Sequence, residues 1–179
     1  MYTVCVFCGT ASGIDSRYAE AARDVAWLIV KRGWRIVYGG GSVGLMGVVA
    51  EAALAAGGHV TGIAPRLIEK EIMHPGLTDL QLVETLHERK AMMTRLADAF
   101  LILPGGYGTL DELFEVLTLQ QLKVHAKPCG LLNVDGYFDG LVGYLDHAEA
   151  CGFLLPQYRA MPAVESDAHA LLARIGVAS

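Results

Sequence analysis

Twice in this chain a short apolar run ends on a cluster of glycines, and each cluster opens a helical stretch. Arg35–Tyr38 runs into Gly39-Gly40-Gly41, and Ala99–Leu103 runs into Pro104-Gly105-Gly106. A strand that turns into a helix through glycine is the unit of a parallel sheet, because parallel neighbours need a helical crossover between them. The rest of the sequence repeats the alternation. Strands are expected at Thr3–Phe7, Val60–Ala64, Leu80–Val83, Cys129–Asn133 and, weakly, Met161–Val164, with Pro65 breaking the third. Helices are expected at Asp15–Lys31, Gly44–Ala56, Leu86–Ala97, Thr109–Lys123, Tyr137–Ala150 and from about Asp167. The expected fold is α/β: a Rossmann-like, doubly wound, mostly parallel sheet with helices on both faces. With no linker or repeat across residues 1–179, one nucleotide-binding catalytic domain is expected.

Composition limits the partners. The chain is 53% hydrophobic and carries a net charge of −5, which suits a sheet covered on both faces and disfavours a nucleic-acid binder. No apolar run reaches the roughly 20 residues of a membrane span. The amino-terminal residues have no leader character, so a cytoplasmic protein is expected. Cys5 and Cys8 form a CxxC, but inside an apolar run rather than at a helix start, which favours buried thiols over a redox pair.

In such sheets ligands sit at the carboxyl ends of the strands. The stretch Gly39–Gly47 fits a dinucleotide fingerprint, yet Val60–Ala64 stands where an acid should hold the ribose, so NAD is disfavoured. It also contains G-x-S-x-G around Ser42, with Asp135 and His147 in hydrolase order, but too little chain precedes it for that fold. Ser42 reads better as a helix cap or phosphate contact. In the second loop, Thr109-Leu110-Asp111-Glu112 fits a capping box. The competing reading has the loop amides facing a phosphate and Glu112 facing a sugar. His87-Glu88-Arg89-Lys90 is a charged stretch on the helix before the second strand–glycine unit, and it reads equally as a solvated face or as the source of one side chain reaching the cleft.

Taken together, Val6-Phe7-Cys8-Gly9, Gly39–Gly47, His87–Lys90, Pro104–Glu112, Lys127-Pro128 and Asn133–Tyr137 resemble the LONELY GUY family. Its members are cytokinin riboside 5′-monophosphate phosphoribohydrolases, many long labelled lysine decarboxylases. Thr10 stands where the family usually has serine, and Leu86 where it often has methionine. The resemblance implies hydrolysis of the N-glycosidic bond of N6-substituted AMP to free base and ribose 5-phosphate, by a homodimer without cofactor or metal. It makes Arg89 and Glu112 the catalytic pair. It places Gly9, Gly40, Gly41, Ser42, Gly44, Met46, His87, Lys90, Gly105, Gly106, Tyr107, Gly108 and Thr109 against the nucleoside monophosphate. The alternative on the same fold is a non-catalytic nucleotide or molybdenum-cofactor carrier, which would lack the Arg–Glu pair.

By chemistry, a carboxylate suits the cation that develops on the ribose, and Arg89 suits an electrostatic rather than a proton-donating role. Along Thr109–Lys123, Leu110, Leu113, Phe114 and Leu117 form one apolar stripe and Val116, Leu119 and Leu122 a second. One stripe covers the sheet, and the other is expected to meet a second copy.

Overall fold

Apolar alternation with a period of two divides the strand side chains between two cores. In β1 (Thr3–Phe7), Val4 and Val6 point into one core while Cys5 and Phe7 point into the other. A computed structural model describes residues 1–67 and 72–176. The remaining strands are β2 (Arg35–Tyr38), β3 (Val60–Pro65), β4 (Asp79–Val83), β5 (Ala99–Ile102), β6 (Cys129–Leu132) and β7 (Pro162–Glu165). They form one seven-stranded sheet in the order β4-β3-β2-β1-β5-β6-β7, with every pairing parallel.

Pro65 is the last residue of β3, paired with Val83, rather than the breaker just beyond it. Proline is tolerated at a strand terminus, where its missing N–H interrupts no long ladder.

Helices α1 (Ser16–Lys31) and α2 (Gly44–Ala55) cover one face together with the carboxyl-terminal helix α7 (Ala168–Ile175). The other face takes Met93 of α3 (Leu86–Leu96) and Leu113 and Val116 of α4 (Tyr107–Gln121). The partly buried Leu141 of α5 (Asp139–Ala150) joins them there. Full burial of a Leu or Val side chain contributes about 1.5–3 kcal/mol, so Leu113 and Val116 anchor α4 firmly. A four-residue helix, α6 (Pro156–Arg159), lacked a periodic signal because it is a single turn.

Helix starts follow the chain's short polar residues. Asp15 and Asp167 cap α1 and α7, each accepting from a backbone N–H in the first turn. At α3 Thr85 caps the helix, its Oγ1 accepting from Glu88 N at 3.0 Å, while Glu88 Oε2 reaches back to Glu84 N, one residue before the cap, at 2.8 Å. That arrangement fixes the register of α3 and hence where Arg89 points.

Sheet order reverses between β1 and β5, so the connections leaving their carboxyl ends turn to opposite faces and open a crevice at the switch point. Each of the two glycine-rich loops borders it.

Candidate active site

Three loops are laced together at the switch point. Gly9 N donates to Pro104 O at 3.0 Å, and Leu45 N donates to Gly9 O at 3.1 Å, so the end of β1 is tied to both glycine-rich loops. This close approach is what the glycines permit. A side chain on Gly105 would begin 2.8 Å from Gly9 N. Gly44 has φ +59° and would drive a Cβ into the Thr10 backbone. Gly105 and Gly44 therefore build the cleft without lining it.

The cleft has a volume of about 490 Å³, the size of a nucleotide-class ligand site. Arg89 and Glu112 line one wall. Arg89 leaves α3, passes close to Gly39 at the end of β2, and its Nη2 donates to Glu112 Oε1 on α4. A side chain on Gly39 would begin 3.6 Å from the guanidinium. The pair is largely enclosed, with side-chain exposures of 17% and 9%.

Helix α4 begins two residues earlier than Thr109. Its cap is Gly106, so Glu112 lies in the second turn and the Thr109–Glu112 capping box does not form. Glu112 turns inward instead, 7% exposed. Burial raises its carboxyl pKa above the ordinary 4.5. The charge of Arg89 and its hydrogen bond pull the other way, Asp111 adds to the rise, and Lys90 opposes it. Ion pairing and desolvation thus compete at one carboxylate.

No side chain caps α4, so the N–H groups of Tyr107, Gly108 and Thr109 have no partner within the helix. All three residues line the cleft, and Tyr107 is 96% exposed at its rim. The opposite wall is apolar: Val43, Met46, Leu67, Ile72 and Met73. Residues 72–74 fold back on the first glycine loop to build it. Ser42 N and Ser42 Oγ both donate to Ile72 O, at 2.8 and 3.0 Å, and His74 N donates to Gly40 O at 3.0 Å.

The protein family described as "Possible lysine decarboxylase" matches residues 46–175. A cytokinin riboside 5′-monophosphate phosphoribohydrolase of Arabidopsis thaliana is 52% identical over 157 residues, covering 87% of this chain and 69% of that protein. A second from the same plant is 50% identical over 157 residues, covering 87% and 72%. This chain belongs to the LONELY GUY family. Among solved structures, the molybdenum cofactor binding protein of Rippkaea orientalis superposes with a TM-score of 0.75 at 20% identity, covering 98% of this chain and 95% of that one. The molybdenum cofactor carrier protein of Chlamydomonas reinhardtii gives 0.74 at 17%, covering 98% and 96%. At those identities the likeness is one of fold.

Of the residues the LONELY GUY resemblance points to, Gly9, Gly41, Met46, Arg89, Gly106, Tyr107, Gly108, Thr109 and Glu112 meet in the cleft. Gly40, Ser42, Gly44, His87, Lys90 and Gly105 are not among its lining. Ser42 is not a helix cap, because Val43 holds that position and the Ser42 hydroxyl is committed to Ile72. His87 is exposed on α3. Lys90 binds Asp111 and Glu115 of α4.

Phe7, Cys8 and Thr10, which belong to the amino-terminal motif but were not expected against the substrate, also line the cleft, as do the apolar residues 67, 72 and 73, which no motif marked. Cys5 and Cys8 are buried on opposite faces of the sheet, and burial raises both thiols well above their ordinary range. They are inert, as the apolar run around them implied.

The family's description as a possible lysine decarboxylase invites a test for pyridoxal chemistry, which needs a lysine that readily loses its proton. No lysine among the described residues lines the cleft. The hydrogen bonds that the Lys90 ammonium donates to Asp111 and Glu115 raise it above its ordinary range, the wrong direction for a Schiff base. Lys127 spends its ammonium on the Thr94 and Arg95 carbonyls at the end of α3. The described residues do not fit that cofactor.

Proposed function

We propose that this protein hydrolyses the N-glycosidic bond of N6-substituted adenosine 5′-monophosphates, releasing free base and ribose 5-phosphate. The observation that carries the reading is the enclosed Arg89–Glu112 pair at the wall of a cleft rimmed by the uncapped start of α4. Relatives about half identical to it are named for this activity.

The roles follow from charge. The phosphate meets the Tyr107–Thr109 amides, where the helix start offers unpaired donors and a positive dipole end. The ribose then lies toward Glu112. As the C1′–N bond breaks, its electron pair leaves with the base and positive charge grows on the sugar ring. The Glu112 carboxylate stabilises that charge and accepts the proton of the water that attacks C1′. The hydroxyl ends on the sugar and the proton on the base. Arg89 stays charged at any ordinary pH; it keeps a desolvated Glu112 ionised and orients it. The base lies toward the wall of Val43, Met46, Leu67, Ile72 and Met73, whose apolar character suits an apolar N6 substituent. A non-catalytic carrier has no use for the ion pair.

The test is the phosphate requirement. Two or three charge-assisted hydrogen bonds contribute about 3 kcal/mol or more, so kcat/KM for N6-isopentenyl-AMP should exceed that for its riboside by about a hundredfold. Equal use of both would overturn the reading.

A homodimer belongs to the same proposal. The two stripes of α4 divide differently from the sequence expectation: Leu113 and Val116 face the sheet, while Phe114 is 38% and Leu122 65% exposed. The following Val124 is exposed as well. An apolar strip of this kind is covered in a self-complementary twofold contact. Light scattering at micromolar concentration should report twice the 19.2 kDa chain mass; a monomer would refute it.

A further inference from the structure

Arg89 and Lys90 are neighbours on α3, and both reach to α4. Arg89 takes Glu112, while Lys90 Nζ sits 2.9 Å from Asp111 Oδ2 and also pairs with Glu115 Oε2. Asp111 and Glu115 lie one helical turn apart on the same edge of α4, with Glu112 between them in sequence. Two adjacent cations on one helix therefore grip three carboxylates on the next. The Lys90 side chain is 18% exposed and does not line the cleft.

We propose that Lys90 is a positioning residue for Glu112: it fastens α4 to α3 through Asp111 and Glu115 and supplies the positive charge that offsets them. This deepens the reading of Glu112 as the reacting carboxylate and rests on it. Without Lys90, like charges one turn apart on α4 repel, which loosens the edge that carries Glu112. Asp111 would then act on Glu112 with only Arg89 opposing it. The groups facing Glu112 are Arg89 and Lys90 from α3, Asp111 on its own helix, and the uncharged thiols of Cys5 and Cys8 from β1 and its end. Lys90 is thus one of two cations in that set. Its ammonium, held by Asp111 and Glu115, keeps its proton across the whole range in which Glu112 titrates.

Carbon-13 NMR titration of the Glu112 carboxyl, alongside kcat and KM against pH, tests this in the full-length protein. Lys90→Met should raise the Glu112 midpoint and the acidic limb of kcat by about half to one pH unit, leaving KM unchanged. Asp111→Asn with Glu115→Gln, which leaves Lys90 in place, should move both downward, so the proposal stays testable if Lys90→Met folds poorly. The triple variant should return both toward wild type. A Glu112 midpoint unmoved in every variant would overturn the proposal and leave Lys90 a structural bolt. A tenfold rise in KM for Lys90→Met with an unmoved midpoint would also overturn it and return Lys90 to the substrate. The titration reads without turnover, so a wild-type protein that releases no base sinks the proposed function while the Lys90 question is still decided.

Discussion

Replacing Glu112 with glutamine separates catalysis from stability in opposite directions. Glutamine is nearly isosteric, and its carbonyl still accepts from Arg89. Wild-type Glu112 has a folded-state pKa above its ordinary 4.5, because desolvation outweighs the attraction of Arg89. The native state then holds a proton that the unfolded chain has already released, so stability falls as pH rises from 4.5 through the folded value. Each unit of that rise corresponds to about 1.4 kcal/mol lost at neutral pH, and each kcal/mol to about 2–4 °C in Tm for a chain of this length. A neutral glutamine escapes the loss. Glu112→Gln should therefore match wild type in Tm below pH 4.5 and exceed it at pH 7. Base release should fall about 10²- to 10⁴-fold. Calorimetry across pH 4–8 with an activity assay on the same samples checks both halves. A Tm several degrees below wild type at pH 7, recovering in acid, would show the pair to be a stabilising bridge. Near-normal turnover would refute the catalytic assignment.

Other substitutions probe the same geometry. Arg89→Met leaves a carboxylate buried without its cation, so urea denaturation at pH 7 should show a loss of about 3–5 kcal/mol that shrinks as acid protonates Glu112. Arg89→Lys should not restore full activity, since an ammonium lacks the planar fork that spans from Gly39 to Glu112. Gly44→Ala combines a left-handed backbone with a collision against Thr10 and should cost about 1–3 kcal/mol by thermal denaturation while raising KM. The rate profile kcat/KM of the wild type should have its acidic limb above the usual carboxylate range, following Glu112; a limb near pH 4 would contradict the burial argument.

Much of this architecture was legible in the sequence because strands and helices announce themselves by period and punctuation. Thr3–Phe7 and Arg35–Tyr38 end where the apolar alternation meets Gly or Cys-Gly, and Asp15 and Asp167 mark their helix starts by capping them. The start of α4 was not legible for a specific reason. Thr109-Leu110-Asp111-Glu112 satisfies the spacing of a capping box, but tertiary burial of Glu112 against Arg89 outcompetes local capping, and Gly106 starts the helix uncapped. One helix earlier the same spacing does cap: Thr85 accepts from Glu88 N, and the Glu88 carboxylate reaches back to Glu84 N. The apolar wall was hidden as well. Ile72 and Met73 reach the cleft through backbone pairing with Gly40–Ser42, a contact across some 30 residues that leaves no periodicity. Lys90 shared a motif with Arg89, and only the coordinates separate the residue facing the cleft from the one facing Asp111 and Glu115.

On the proposed function, the Arg89–Glu112 cleft breaks a base–ribose bond. Quantifying the products from N6-isopentenyl-AMP by liquid chromatography and mass spectrometry, with lysine in a parallel reaction, tests it most directly. Free isopentenyladenine and ribose 5-phosphate should appear in equal amounts, with no carbon dioxide or diamine from lysine. Decarboxylation of lysine, or an intact nucleotide after prolonged incubation with folded protein, would contradict the claim.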